Sequence, residues 1–436
     1  VRVRAVGVTV AAVAAVTACS ASPETGRAGT TADPSVTAGT GDTGPPRASA
    51  DRPTLSAAPD ASPPSLTPAE QRELDERLVD AAWDADVDRA RRLIARGADV
   101  DWRDDTQQSA FLIATSEGPL ELLELTLDSG ADVGLHDGFD GTGLIRAAER
   151  GLGQVVGRLL QTDIEVDHVN NLGWVALHEA IILGDGSRGY VDTVRALVAG
   201  GADLEVTPVR DGIAPVEHAR SRGQDAVVAT LSRALADPAP RDPDRALLAA
   251  AAAGDADRAA VALRAGADLE ARDSRERTPL LLAVTEERLA VARLLVALGA
   301  SPDAFDDRHD TPWLVTGVTG SVPMAEVLLA HDPDLGIRNR FGGTSIIPAS
   351  ERGHVDYVRR VARTGIDLDH VNDLGWTALL EAVILGDGSR PYQRIVRILL
   401  AAGADPGIAD RDGVTALEHA ISGGQTRVAR LLARAG

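Results

Sequence analysis

From Pro68 to Gly436 the apolar residues return in short paired blocks separated by polar turns. The unit around "RTPLLLAV" (Arg277 to Val284) and "LAVARLLVALG" (Leu289 to Gly299) shows the pattern clearly. Each block is too short and too densely apolar to stand alone, and each is closed by a glycine or a turn. Thr278 is a suitable N-cap, and Pro279 suits the first helical turn, where its missing N–H costs nothing. The closing Gly299 accepts the left-handed conformation that ends a helix. The pattern predicts two antiparallel helices per unit, with small alanines allowing close approach. One such pair cannot bury both of its faces, but a stack of pairs can.

The period supports the stack. "GAD" recurs at Gly97, Gly130, Gly201, Gly266 and Gly403, with "GASPD" at Gly299; Gly97 to Gly130 and Gly266 to Gly299 are each 33 residues. A longer repeat lies over this one. Asp203 and Asp405, Trp174 and Trp376, and Gly118 and Gly320 are all 202 apart, whereas Gly97 and Gly266 are 169 apart. The difference is one 33-residue unit. The halves therefore read as duplicates, with one extra unit, about Glu276 to Asp307, in the second. The expected organisation is an all-α solenoid in two tandem arrays. Residues 68–236 hold about five repeats and 244–436 about six, joined by 237–243 within the Pro-rich "LADPAPRDPDR".

The 33-residue unit carrying T-P-L-H-x-A-like starts and G-A-D ends resembles the ankyrin repeat. "TSIIPASERG" (Thr344 to Gly353) and "TGIDLD" (Thr364 to Asp369) depart from it. Each half opens with a helix pair that has no preceding hairpin, as ankyrin N-terminal caps do. The resemblance implies a scaffold that touches a protein or peptide partner through hairpin tips and the concave face of its inner helices, with no cofactor.

"ILGDGSR" occurs at Ile182 to Arg188 and again at Ile384 to Arg390. The first copy continues through Gly189 as G-x-G-x-x-G, but a helix rather than a strand precedes it, and Pro391 replaces the third glycine in the second copy. It reads instead as an insertion, Asp185 to Gly189 and Asp387 to Pro391, between a first helix ending at Gly184 and a second beginning at Tyr190, forming a ledge beside the concave surface. Asp167 to Tyr190 and Asp369 to Tyr392 match at 19 of 24 positions, while Leu144 to Val166 and Ile346 to Leu368 match at only 9 of 23. This selects Trp174, Asp185, Arg188 and Tyr190, with Trp376, Asp387, Arg390 and Tyr392, as candidate partner contacts. Alternatively, a long turn needs these residues in order to fold. Trp83 is placed on the concave side of the first cap, Trp102 in a hairpin and Trp313 in the core.

At the other end, Arg2 and Arg4 precede an apolar run from Ala5 to Val16 that is short for a membrane span. "VTAC" resembles a bacterial lipobox, which implies a signal peptide over 1–18, a lipidated Cys19 and attachment to the extracytoplasmic face of the cell membrane. Residues 19–67, rich in Ser, Thr, Pro and Gly, read as a disordered tether with a reach on the order of 40 Å. A net charge of −21 without any lysine argues against a nucleic-acid or general anionic-lipid surface. No H-E-x-x-H, G-x-S-x-G or cysteine-based metal spacing is present. His178, His218 and His419 fit structural positions, and hairpin Asp residues fit local turn chemistry. The expectation is therefore no enzyme, no metal and no cofactor. The alternatives are a small-ligand or metal site, or an enzyme, built on the inserted turns, or a passive envelope spacer.

Overall fold

The computed structural model describes residues 66–117, 119–207 and 212–435. The signal peptide, Cys19 and nearly all of the tether lie outside the described residues. Among these residues every regular element is a helix, and the 22 helices come in pairs. The first five pairs are α1 and α2 (Pro68–Trp83, Val87–Ile94), α3 and α4 (Ala110–Glu117, Leu120–Asp128), α5 and α6 (Gly143–Glu149, Gly153–Leu159), α7 and α8 (Ala176–Ile182, Arg188–Ala199) and α9 and α10 (Pro215–Ser221, Asp225–Ala236). Six more follow: α11 and α12 (Pro243–Ala253, Ala256–Arg264), α13 and α14 (Pro279–Thr285, Leu289–Ala297), α15 and α16 (Pro312–Thr319, Val322–Leu329), α17 and α18 (Ile346–Glu351, Val355–Val361), α19 and α20 (Ala378–Ile384, Arg390–Ala401), and α21 and α22 (Ala416–Ser422, Thr426–Leu432). In each array the first helices pack in one row and the second helices in another. No described helix is long and apolar enough to cross a membrane.

Local chemistry sets the unit. Thr278 accepts from the Leu281 N–H at 3.0 Å, with Pro279 in the first turn, and Gly299 closes its unit at φ +98°. Eight of the hairpins are each built on one Asp or Asn whose Oδ1 accepts the N–H groups two and four residues on. Asp104, Asp137, Asn170, Asp273, Asp306, Asn339, Asn372 and Asp410 all do so. Neighbouring hairpins are then tied together, as where Asp101 accepts the Asp132 N–H at 3.0 Å and Asp369 the Asp405 N–H at 2.8 Å. Leu, Ile, Val and Ala fill the space between helix rows, joined by a fully buried Trp313 and Tyr357.

The second array does not extend the first. After α10 the chain reverses, and outer helices pack back to back, α12 on α8 and α14 on α6. Small residues make this possible. A Cβ added at Gly157 would stand 2.4 Å from the Ala297 carbonyl oxygen, inside any real contact. Polar pairs fix the register: Arg195 Nε donates to Asp257 at 2.7 Å, Thr230 Oγ1 to the same carboxylate oxygen at 2.8 Å, and Arg293 Nε to Asp192 at 2.7 Å. Gln161 Nε2 and Arg264 cap carbonyls of the opposite array, at Ala297 and Ala202. This seam explains the uneven match between the halves. Gly157, Gln161 and Asp192 face the other array, whereas Arg359, Arg363 and Arg394, at the same places 202 residues on, do not. Within the poorly matching stretch the outer helix has a different neighbour in each copy.

Candidate functional site

The inserted turns are less loop-like than the sequence suggested. Helices α8 and α20 begin at Arg188 and Arg390, two residues before the tyrosines, and run for 12 residues each. Part of each insertion is thus an added helical turn rather than a ledge. The rest is braced from both sides. Asp185 and Asp387 each accept the backbone N–H two residues on, at 2.8 Å; the Ser187 and Ser389 side chains first, and these backbone bonds second, hold both carboxyls below the usual carboxylate range. Tyr190 and Tyr392 donate to the carbonyls of Glu149 and Glu351, at 3.0 and 2.9 Å, with their rings laid against Gly184 and Gly386.

Gln224 and Gln425, from the following repeats, reach back to the end of each inner helix. Gln224 Nε2 donates to the Ile181 and Gly184 carbonyls, at 2.9 and 2.8 Å, and Gln425 Nε2 to those of Val383 and Gly386, at 2.7 and 2.9 Å. Replacing Gln425 with Ala strands two carbonyls and should cost about 1–2 kcal/mol. Urea unfolding that leaves the midpoint unchanged would show that the brace is dispensable. Of the eight candidate residues, the tyrosines and aspartates thus have local tasks, Trp174 and Trp376 are half-buried, and Arg188 and Arg390 stay exposed. Trp83 is exposed, and Trp102 is half-buried against the core.

Behind the strip lies a feature that the sequence did not single out. Asn170 Nδ2 donates to Glu179 at 2.7 Å, and Asn372 Nδ2 to Glu381 at 2.8 Å. Both glutamates are buried, at 3% and 5% exposure, and Oε2 of Glu179 has no hydrogen-bond partner. Burial pushes each carboxyl up to about 7; repulsion from Glu149 and Asp137, or from Glu351, adds to this, while the asparagine bond opposes it. The only sequence signal was that both pairs fall within the 19 matching positions.

In the second array the hairpins and inner helices enclose a cleft of about 520 Å³. Phe341, Leu374 and Leu385 border it, with Arg308 and Arg352 at its rim and Glu381 among its lining. Phe341 is 54% exposed and Leu385 49%, and their counterparts Phe139 and Leu183 are 70% and 51% exposed. Apolar side chains left in water at the same two places in both copies are a recurring choice, not scatter. Applying the 202-residue offset to the four phenylalanines would have found the first pair.

The first array also brings His136, Asp140 and His168 together, their donor atoms within 4.8 Å of one another. His136 Nδ1 lies 2.8 Å from Asp140 Oδ1, and His168 Nε2 lies 2.7 Å from the Asp140 carbonyl oxygen. His370 makes the same bond to the Gly342 carbonyl at 2.6 Å, where the other two donors are Arg338 and Gly342. The histidine is therefore a strut between hairpins in either copy, and its Nε2 is engaged by a backbone oxygen.

A family model described as ankyrin repeats in three copies matches residues 111–208 and 315–410, and the single ankyrin-repeat model matches 275–307. The matches together cover about half of the chain. The putative ankyrin repeat protein YahD of Escherichia coli (strain K12) is 36% identical over 172 residues, 39% of this chain and 86% of that protein. The ankyrin repeat and KH domain-containing protein mask-1 of Caenorhabditis elegans is 26% identical over 289 residues, 64% of this chain and 10% of that protein. A solved ankyrin repeat domain from Acinetobacter baumannii AYE has 43% identity and a TM-score of 0.43, covering 44% of this chain and 97% of that one. Paired helices on a 33-residue period, hairpins built on a repeated Asp or Asn, the family-model matches and the likeness to YahD make the chain a member of the ankyrin-repeat family, whose fold is a general scaffold for protein interactions.

Proposed function

We propose that the protein is exported, anchored to the outer face of the cell membrane through a lipid on Cys19, and captures a protein or peptide segment in its concave clefts. The observation that carries the capture reading is the repeated exposure of Phe139 with Leu183 and of Phe341 with Leu385. These pairs offer apolar anchors at the two ends of the strip, with Arg188, Arg390 and the half-buried Trp174 and Trp376 between or beside them. Aromatic anchors in partly enclosed sites carry a large share of interface energy. Two equivalent sites also allow bivalent capture, in which the second contact gains from the first. The anchor reading is supported by the Arg-flanked apolar run and the "VTAC" that ends it.

Because the four apolar side chains are exposed, their joint replacement with Ala should leave the melting temperature near that of the parent. Capture of crosslinked partner from intact cells should fall at least tenfold, on the order expected for losing anchor residues. Equal capture by the parent and the quadruple variant would remove the concave site from the account. Incorporation of labelled fatty acid, lost in Cys19→Ala, tests the anchor separately.

A further inference from the structure

We propose that the outer face of the last three repeats docks on an anionic phospholipid bilayer. Outward positions recur at i, i+3 and i+7 on each outer helix. They are Asp356, Arg359 and Arg363 at α18, Arg394, Arg397 and Ala401 on α20, and Arg427, Arg430 and Arg434 at α22. Counted back from the glycine that ends each unit, Arg359, Arg397 and Arg430 hold one place, so they form a row across three stacked helices. With Arg360 the face carries eight arginines against two acids, Asp356 and the neighbouring Glu326, in a chain of net charge −21.

Little of this charge is neutralised within the fold. Asp356 pairs with Arg359 and stands 3.9 Å from Arg394, and Glu326 pairs with Arg360. Among the described residues, Arg363, Arg397, Arg427, Arg430 and Arg434 form no ion pair, and all five are exposed. In the first array the places of Arg359, Arg363 and Arg394 are taken by Gly157, Gln161 and Asp192, which face the other array. The arginines that remain where the face is covered, Arg195 and Arg293, are paired with Asp257 and Asp192. The total charge, which argued against anionic surfaces, conceals this separation.

The shape of the face narrows the partner. It is a row of parallel helices with alanine and threonine between the guanidinium groups, without a groove, an aromatic ring or a side-chain amide aligned with the row. Stacking or reading of nucleic-acid bases needs such groups. Headgroup phosphates that rearrange laterally can meet guanidinium groups set at the pitch of the repeat. The choice of a membrane also rests on the anchor proposed above, because a tether on Cys19 holds the body beside a bilayer. Each arginine near such a surface adds about fivefold to partitioning, and the gain is screened by salt.

The test uses the full chain carrying Cys19→Ala, so that no acyl chain contributes. Its sedimentation with phosphatidylcholine vesicles is compared with and without phosphatidylglycerol, at low and high salt; subtraction removes any charge-independent binding by the N-terminal apolar run. The expected result is binding that needs phosphatidylglycerol, disappears at high salt, and falls at least about tenfold when Arg397, Arg427, Arg430 and Arg434 are all changed to Gln. An unchanged helical spectrum and melting temperature would show that the variant still folds. Binding that ignores phosphatidylglycerol, survives in the variant, or is exceeded by binding to double-stranded DNA under the same conditions overturns the proposal. Fatty-acid labelling of the unmutated chain reports on the anchor alone, so failure of one reading is distinguishable from failure of the other.

Discussion

Changing Gly157 to Arg, the residue that the second copy carries at the same place as Arg359, is expected to drive the two arrays apart. Gly157 is fully enclosed, and even a methyl group there would meet the Ala297 carbonyl oxygen at 2.4 Å and its carbonyl carbon at 2.6 Å. The obstacle is backbone at the end of α14, so no rotamer change can clear it. An arginine would also bring a charge into a seam whose acids are already engaged, Asp192 by Arg293 and Asp257 by Arg195. Steric overlap and an uncompensated charge together should cost at least about 3–5 kcal/mol. The melting temperature should drop, and small-angle scattering should show a larger radius of gyration if each array survives separation. The reciprocal change, Arg359→Gly, lies on an open face and should cost no more than about 1 kcal/mol of helix propensity. Equal effects from the two substitutions, or unchanged scattering from the first, would mean that the seam does not hold the arrays together.

That contrast marks where the sequence could be read and where it could not. Helix pairs, their caps and their closing glycines follow from local rules, so Thr278, Pro279 and Gly299 announced one unit and the 33-residue period supplied the others. The contact between arrays joins residues from different repeats, some more than 100 positions apart, such as Asp192 and Arg293, and no local period encodes it. Its trace was nevertheless present: the covered outer helices carry Gly157, Ala260 and Ala297 for close approach and match Arg195 and Arg293 to acids, whereas Arg397 and Arg430 on the open face have no acid beside them. The low match of Leu144 to Val166 served only as a contrast to the matching strip, and the change of neighbour behind its outer helix went unread.

The insertion teaches a smaller lesson of the same kind. Pro391, in the first turn of α20, was itself a signal for a helix start at Arg390, two positions before the tyrosine that the family register suggested. The candidate site was legible as a strip but not by role. Identity between copies cannot separate Tyr190 and Gln224, which hold the turn, from Leu183, which is left in water, because both demands preserve residues equally. Only burial and hydrogen bonding divide them.

Raising the pH from 5 to 8 is expected to weaken the fold, through Glu179 and Glu381. Each carboxyl stands at about 7 in the folded protein and near 4.5 when unfolded, so the folded state holds more protons between these values. Stability from these groups is therefore full below about 4.5, declines as pH rises, and is flat again above about 7. Each site should lose on the order of 3 kcal/mol across the window. His331 acts in the opposite sense, because burial lowers its affinity for a proton and its contribution is lost as pH falls below 6.5. One histidine is outweighed by two glutamates, and substitution separates them. In the Glu179→Gln, Glu381→Gln double variant the asparagine bonds can remain, since Asn170 and Asn372 donate to an oxygen that Gln also offers. Urea midpoints at fixed ionic strength should fall from pH 5 to pH 8 in the parent and fall much less in the variant, which should be the more stable protein at pH 8. A parent whose midpoint rises over that interval, or a variant with the same slope, would show that these carboxyls ionise before folding constrains them. The concave floor would then be negatively charged throughout and not only in alkaline solution.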